Sequence, residues 1–182
     1  MSTGPDVKSP LRDVQGTGCA PGLWVLVTAS RTWPRDDKIR TALDETAAYV
    51  EHMGRPWTLT VMQGGTRGGD RTAQQWTELA HRAGYPVNPP EVRPADWAAP
   101  CRTECWPGHR RRNADGTSTC PTAGYYRNTL MVEEMVTVQC QTLVLAFIHD
   151  NSRGATHCLL AAKQHGLDYV DFYLPESTRP KG

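Results

Sequence analysis

The sequence predicts an α/β domain in which helices cover both faces of a mostly parallel sheet of about five strands. Short, continuous apolar runs followed by polar turns are typical of strands that are buried on both faces. Between these runs lie stretches with apolar residues at spacings of three and four, which are typical of amphipathic helices. Alternation of the two patterns favours a parallel sheet with helical crossovers. The 182 residues suit one domain with a core of its own.

Five strands are predicted along the chain. Four of them lie at residues 23–28, 57–63, 142–148 and 169–174, and the third of these is the clearest buried run. The remaining segment, residues 86–92, is a poor strand because Pro89 and Pro90 have no N–H to donate to a ladder. We therefore expect it at an edge of the sheet or as an extended segment.

Four helices are predicted between the strands, at residues 36–53, 70–83, 123–138 and 155–165. Asp36 or Asp37 is a candidate N-cap of the first helix, because a carboxylate oxygen can accept a hydrogen bond from a free N–H of the first turn. Glycines follow three of the helices and are expected to end them: Gly54, Gly84 and Gly166.

The folded domain is predicted to span residues 23–174. Residues 1–22 contain mainly small, polar and proline residues, which predicts a disordered arm, and residues 175–182 predict a loose tail. Residues 98–122 form a polar, irregular insertion that is rich in Cys, Arg and Pro.

Charge and hydropathy argue against some classes of partner. The formal net charge is +1, so no global field favours DNA or an acidic membrane. No stretch approaches the ~20 apolar residues of a membrane helix, and the first residues lack the apolar core of a signal peptide. We therefore expect a cytoplasmic protein. Thiols are kept reduced there, so the six cysteines favour a metal site over a disulfide framework.

The insertion contains a candidate metal site made of Cys101, Cys105, His109 and Cys120. Three thiols and one imidazole suit tetrahedral Zn²⁺, and four protein ligands leave no position for a reactive water. The sequence therefore predicts a structural zinc, and the alternative is a flexible loop with reduced cysteines. The basic run 109–112 beside it can contact nucleic-acid phosphate, form a solubilising rim or hold a ligand phosphate. The near-neutral total charge makes nucleic acid the least favoured of the three.

Three turns follow predicted strands, at the edge of the sheet where α/β folds bind ligands. The first turn offers Ser30 and Arg31, whose guanidinium can make a forked contact to phosphate. The second is rich in glycine, which permits φ > 0 and close approach of a ligand to the backbone. Its candidate residues are Gly64, Gly65, Arg67, Gly68 and Asp70. The alternatives are a surface arginine in the first turn and a tight turn with a capping aspartate in the second.

The third turn carries Ser152, Arg153, Gly154 and Thr156, which can present hydroxyl groups, N–H groups and charge to a phosphate. The alternative is a solvated loop before a capped helix. Arg127 and Asn128 are expected in the first turn of the third helix. The helix dipole disfavours an arginine there, and such a conflict is typical of a binding site.

These residues resemble the YspA-type branch of the SLOG superfamily, named after the Smf and Lonely Guy proteins. The matching segments, over residues 23–173, are Ser30-Arg31, Gly64-Gly65-x-Arg67-Gly68-x-Asp70-Arg71, Ala95-Asp96-Trp97, Gly124-x-x-Arg127-Asn128-x-x-Met131 and Ser152-Arg153-Gly154. The resemblance implies a Rossmann-like three-layer fold, a nucleotide-like ligand and a homodimer. It also implies a possible role in phage–host conflict.

Lonely Guy enzymes cleave the N-glycosidic bond of nucleoside 5′-monophosphates, with an arginine and a glutamate at the site. By resemblance, Arg127 stands at the place of that arginine, while the glutamate's place falls on His157. A neutral imidazole cannot stabilise the positive charge that develops on ribose, so Asp70 and Asp150 are the substitute carboxylates. The catalytic candidates are therefore Arg127, Asp70 and His157.

Three functions remain open. The first is a sensor, scavenger or signal-processing protein that binds a nucleotide or a nucleotide-derived small molecule. The second is a nucleoside 5′-monophosphate N-glycosidase, and the third is a zinc-containing accessory protein that binds nucleic acid.

Overall fold

A five-stranded, fully parallel sheet forms the centre of the computed structural model, which describes residues 21–174. Its strands are β1 (Gly22–Ala29), β2 (Thr58–Gln63), β3 (Glu91–Val92), β6 (Gln141–His149) and β7 (Tyr169–Leu174). Across the sheet the order is β3-β2-β1-β6-β7. The predicted fold class is confirmed, and the weak segment with the two prolines supplies the short edge strand β3. The predicted tail, and the predicted arm except residues 21 and 22, lie outside the described residues.

Helices cover both faces of this sheet. They are α1 (Asp36–Met53), α2 (Gly69–Arg82), α3 (Ala123–Thr137) and α4 (Arg153–Gln164). The first pair packs with Val25 and Val27 of β1 in one core, and the second pair packs with Leu26 in the other. Successive residues of β1 therefore enter opposite cores, which explains why its sequence is continuously apolar.

Two local predictions are corrected at element boundaries. Because α1 begins at Asp36, both Asp36 and Asp37 lie inside its first turn, near the positive end of the dipole, instead of capping it. The insertion is less irregular than expected, since β4 (Arg111–Arg112) and β5 (Ser118–Thr119) pair antiparallel. Arg110 organises this hairpin by donating hydrogen bonds to the carbonyl oxygens of Ala99 and Ser118, each at 2.7 Å.

The strands β1 and β6 lie side by side, although more than a hundred residues separate them in sequence. Chain connections leave this pair toward opposite edges of the sheet, which creates a crevice at their carboxyl ends. Among the described helices, none has the length and apolar character needed to span a membrane.

Candidate functional site

A cavity of about 410 Å³ opens at the carboxyl ends of β1 and β6, a volume within the usual range of small-molecule sites. Four parts of the chain form its wall: the turns after β1, β2 and β6, and the start of α3 with the segment before it. The polar and charged residues of the wall are Thr28, Arg31, Thr32, Thr66, Asp70, Tyr125, Arg127, Asn128, His149, Asp150 and Ser152.

Asp70 is a buried carboxylate on the wall of this cavity, with only 4% of the residue exposed. Its Oδ2 accepts hydrogen bonds from the Thr66 hydroxyl at 2.8 Å and from the Thr66 N–H at 3.2 Å. Its Oδ1 has no hydrogen-bond partner among the described residues. Burial raises the pKa of Asp70, while hydrogen bonds from Thr66, the positive charge of Arg127 and the backbone N–H of Ala29 act in the opposite direction. A buried carboxylate oxygen without a hydrogen-bond partner in the wall of a cavity favours a ligand that can donate to it.

Arg127 is also buried, and its guanidinium is held by three acceptors. It donates to the carbonyl oxygen of Gly64, to that of Arg93 at 2.9 Å and to the side-chain oxygen of Asn128 at 2.9 Å. Burial lowers the pKa of Arg127, and Asp70 partly offsets that effect. Because α3 begins at Ala123, both Arg127 and Asn128 lie in its second turn and not in its first.

Asn128 joins α3 to α4 by donating a 2.9 Å hydrogen bond to the carbonyl oxygen of Gly154. Together, Arg127 and Asn128 connect the turn after β2 with the start of α4 through the side chains of one helix. They therefore set the shape of the cavity in addition to lining it.

The glycines of the second turn are explained largely by contacts within the protein. A Cβ at Gly64 would collide with the Arg127 guanidinium. The group that approaches this glycine closely is therefore an arginine of the protein and not the predicted ligand. Gly68 has φ +81° and lies against the backbone of Arg31, which brings the first two turns together. Gly65 has φ +68° and faces, with the exposed Arg67, a depression on the outer side of the turn.

Ser30 is fully buried beneath the cavity instead of lining it. Its hydroxyl accepts the N–H of His149 at 2.8 Å and donates to the carbonyl oxygen of His149 at 3.1 Å. This pair of bonds fixes the end of β1 to the end of β6. Arg31, the next residue, is exposed on the cavity wall, where its charge is free to meet an anion.

The turn after β6 is tightly shaped and contributes both polar side chains and backbone. Asp150 and Asn151 have φ values of 52° and 49°, a left-handed conformation that Asp and Asn adopt more readily than other residues with a Cβ. The His149 ring nitrogen Nδ1 lies 3.1 Å from the Asp150 carboxylate and 3.1 Å from the Thr32 hydroxyl. Ser152 and Gly154 bring the start of α4 to the cavity, whereas Arg153 and Thr156 lie off its wall.

His157 does not reach the cavity. Its ring packs edge-on against Tyr125, with 4.9 Å between ring centroids, and its Nδ1 is buried with no partner among the described residues. Burial lowers the pKa of His157, which favours the neutral ring. The described carboxylates that line the cavity are Asp70 and Asp150. His157 therefore contacts Tyr125, a residue of the cavity wall, and is not part of that wall itself.

The predicted metal ligands form a compact cluster. One ligand atom from each of Cys101, Cys105, His109 and Cys120 lies within 4.8 Å of all the others. The Cys105 and Cys120 sulfurs are 3.9 Å apart, close to the separation of about 3.8 Å that follows from tetrahedral geometry and Zn–S bonds of ~2.3 Å. The predicted clustering of these four side chains is therefore confirmed, and their arrangement suits a Cys3His metal site.

Neighbouring groups orient the His109 ring and favour the thiolate form of Cys120. His109 Nδ1 lies 2.8 Å from the Trp106 carbonyl oxygen, which directs Nε2 toward the cysteines. Burial raises the pKa of Cys120, but hydrogen bonds from Thr122 and His109 outweigh it and bring the value to about 6. Thiolates are the ligands that bind metals.

Sequence reasoning missed several members of both sites. Trp97 and Tyr125 line the cavity, and Thr122 and Tyr126 approach the Cys105 sulfur to 3.3 Å and 3.0 Å. Trp97 lies in the segment Ala95-Asp96-Trp97, which resembles the SLOG superfamily, and this resemblance could have indicated a place for it in the site. Arg111 and Arg112 are exposed on β4, while Arg110 is hydrogen-bonded inside the insertion.

Comparison with known proteins gives one informative match. The Gene 61 protein of Mycobacterium phage D29 is 32% identical to the chain over 148 residues, which cover 81% of this chain and 94% of the phage protein. No family model matches the chain. No solved structure gives a significant match.

Proposed function

The chain belongs to the family of the Gene 61 protein of Mycobacterium phage D29, and we propose that it binds a nucleotide or a nucleotide-derived small molecule. The ligand lies in the cavity between β1 and β6. Binding without turnover would suit a sensor, a scavenger or a signal-processing protein. Because a relative is encoded by a phage, we propose that this role belongs to phage–host conflict.

The observation that carries the proposal is the unpartnered Oδ1 of the buried Asp70 on the cavity wall. A buried acceptor without a partner is costly, so its presence favours a ligand that supplies a donor. The two adjacent hydroxyl groups of a ribose are such donors. Asp70 is held in place by Thr66, so it is already oriented when the ligand arrives.

The phosphate end of the ligand is assigned to the start of α4. Ser152 and Gly154 line the cavity there, and the first N–H groups of a twelve-residue helix attract an anion. The exposed guanidinium of Arg31 on the same wall adds a positive charge. Sugar and phosphate thus each have a matched group on the wall.

The proposal is tested by titrating AMP, other nucleoside monophosphates, NAD and cyclic nucleotides into the protein in a calorimeter. The complex is then denatured, and the released molecules are separated by chromatography. Recovery of intact ligand supports binding without turnover. If no member of the panel binds at millimolar concentration, the proposed function is wrong.

The second candidate is hydrolysis of the N-glycosidic bond of a nucleoside 5′-monophosphate. It is favoured by one specific observation, the presence of two different carboxylates on one cavity wall. The raised pKa of Asp70 favours a protonated form that can protonate the leaving base, while the more exposed Asp150 can accept a proton from water. Free base in the chromatogram, lost in both Asp70→Asn and Asp150→Asn, supports this candidate.

The metal of the insertion is proposed to be Zn²⁺ in a structural role. Three thiolates and one imidazole form a closed tetrahedral set, and the insertion has few apolar residues to order it otherwise. When bound, zinc supplies ordering free energy to this segment. Native mass spectrometry is expected to find one zinc per chain, and an unchanged stoichiometry in Cys105→Ser contradicts the assignment.

We also propose a homodimer, as the resemblance implies. Light scattering on the protein as it leaves a size-exclusion column measures its mass and tests this proposal.

A nucleic-acid function is disfavoured by the near-neutral net charge and by the hydrogen bonds that hold Arg110 inside the insertion. A gel shift at low salt that disappears at moderate salt would instead show nonspecific binding to nucleic-acid phosphates.

A further inference from the structure

One part of the cavity wall is aromatic and has no role in holding sugar or phosphate. Trp97 and Tyr125 both line the cavity. Trp97 is 36% exposed, so part of its indole is open to solvent. Tyr125 is held from behind by the ring of His157, at 4.9 Å between centroids. An exposed indole and a fixed phenol therefore face the same space.

The insertion holds Trp97 in this position through its backbone. The N–H of Cys120, a metal ligand, donates a 2.9 Å hydrogen bond to the carbonyl oxygen of Trp97. The Asp96 carboxylate accepts the N–H groups of Ala98 and Ala99, each at 3.0 Å, which closes a turn directly after the indole. Trp97 is thus tied on one side to the metal cluster.

The start of α3 is shaped to receive the indole. A Cβ at Gly124 would lie 3.2 Å from the Trp97 ring, so the missing side chain lets the ring approach the helix. The α3 N-cap residue is Thr122, whose hydroxyl lies 3.0 Å from the Cys120 sulfur and 3.3 Å from that of Cys105. The aromatic wall and the metal cluster are therefore joined through the same few residues.

We propose that Trp97, with Tyr125, forms a stacking wall for a planar base, and that the metal cluster of the insertion holds this wall in place. This inference rests on the proposed function and narrows it to ligands that carry an aromatic base, as opposed to sugar phosphates. Stacking of a base on an aromatic ring requires a ring face and tolerates many bases. The wall accordingly selects for a base without selecting strongly among bases.

The experiment compares AMP with ribose 5-phosphate, which lacks the base. Calorimetry on the wild-type protein is expected to give AMP the tighter binding by roughly tenfold or more. Trp97→Leu is expected to lose at least tenfold in AMP affinity while ribose 5-phosphate stays within twofold. Trp97→Phe keeps a ring and is expected to keep most of the preference for AMP, which separates stacking from a structural role of the indole.

The matched control is Tyr85→Leu. Tyr85 is another exposed aromatic residue, 52% exposed, and it belongs neither to the cavity wall nor to the metal cluster. Its replacement is expected to leave the AMP to ribose 5-phosphate affinity ratio unchanged. Zinc content is measured in every variant, so that loss of the metal is seen directly.

The metal part of the inference is tested by removing the metal with a chelator and then restoring Zn²⁺. We expect the AMP affinity to fall toward that of ribose 5-phosphate on removal and to recover on addition, with a parallel change in tryptophan fluorescence. An unchanged ratio after removal overturns the holding role of the cluster. Equal binding of AMP and ribose 5-phosphate to the wild type overturns the stacking wall but leaves a sugar-phosphate site standing. Failure of both probes and of every other member of the nucleotide panel to bind overturns the proposed function itself.

Discussion

The cavity between β1 and β6 and the metal cluster of the insertion are built in opposite ways. The four metal ligands come from residues 101–120, and their ligand atoms lie within 4.8 Å of one another. The cavity instead takes its wall from residues spread over 27–155, which meet only because β1 and β6 are neighbours in the sheet. One site is local in sequence, and the other is assembled by the fold.

The two sites also differ in how completely their polar groups are paired. In the cluster, each ligand atom lies near another, and outer groups such as Thr122 and the Trp106 carbonyl oxygen support them. In the cavity, Asp70 Oδ1 has no partner among the described residues and Arg31 is exposed. A closed set of ligands suits a structural metal, while an open set of polar groups suits a molecule that comes and goes.

The largest expected effect is that of Cys120→Ser on the metal. Loss of the most buried ligand is expected to reduce the zinc stoichiometry from one to near zero and to remove amide protection in the insertion. Protection in β1 and β6 should persist, because these strands have their own cores. Native mass spectrometry and hydrogen exchange measure the two results. The control is Cys158→Ala, a buried cysteine outside the cluster, which should keep the metal. Retained zinc in Cys120→Ser would show that the cluster is not closed.

The next effect is that of Arg127→Ala on both stability and binding. Removal of the guanidinium leaves the carbonyl oxygens of Gly64 and Arg93 without this donor, at a cost of about 1–3 kcal/mol each if they stay buried. The melting temperature is expected to fall by several degrees, and AMP affinity should fall with it. Gly64→Ala is the matched test, because its new methyl group displaces the same guanidinium. A normal melting temperature in both variants would show that Arg127 does not hold the cavity together.

The contrast between the two sites also explains what the sequence could predict. The metal ligands were identified because spacing alone brings them together within one short insertion. The parallel sheet and its edge strand followed from apolar runs and from the prolines before β3. In both cases the relevant interactions are set by nearby residues or by periodicity.

Details of the cavity were harder to predict, because they depend on which distant residues meet. The glycines at 64 and 68 correctly indicated close approach, but the approaching groups are Arg127 and the Arg31 backbone. His157 was assigned a place at the site from the resemblance, whereas the helix turns it toward Tyr125. The role of Trp97 depends on the path of the insertion, which no periodicity specifies.

Asp70→Asn tests whether the unpaired carboxylate of the cavity wall makes the stability of the protein depend on pH. Burial raises the pKa of Asp70, so the folded state holds its proton more tightly than the unfolded state does. Ionisation therefore destabilises the fold above the raised pKa, and this penalty disappears below the ordinary pKa of an aspartate. We expect the variant to have a higher melting temperature than wild type at pH 8, and this difference should disappear near pH 3. A gain that is the same at all pH values would contradict the linkage. AMP affinity should nevertheless fall, since the neutral amide of the variant is a weaker acceptor than a carboxylate.

Arg31→Ala is expected to have the smallest effect on stability. It should change the affinity for the ligand and leave the fold unchanged. The side chain is exposed, and Gly68 packs against its backbone, which the substitution leaves in place. The melting temperature should stay within about one degree, while AMP affinity falls roughly tenfold at low salt through loss of a charged contact. The difference between variant and wild type should shrink as salt is added, because screening weakens the wild-type contact. Arg82→Ala, an exposed arginine at the end of α2, is the control and should change neither quantity. A salt-independent loss in Arg31→Ala would mean that this side chain shapes the cavity, as Arg127 does, instead of meeting the anion.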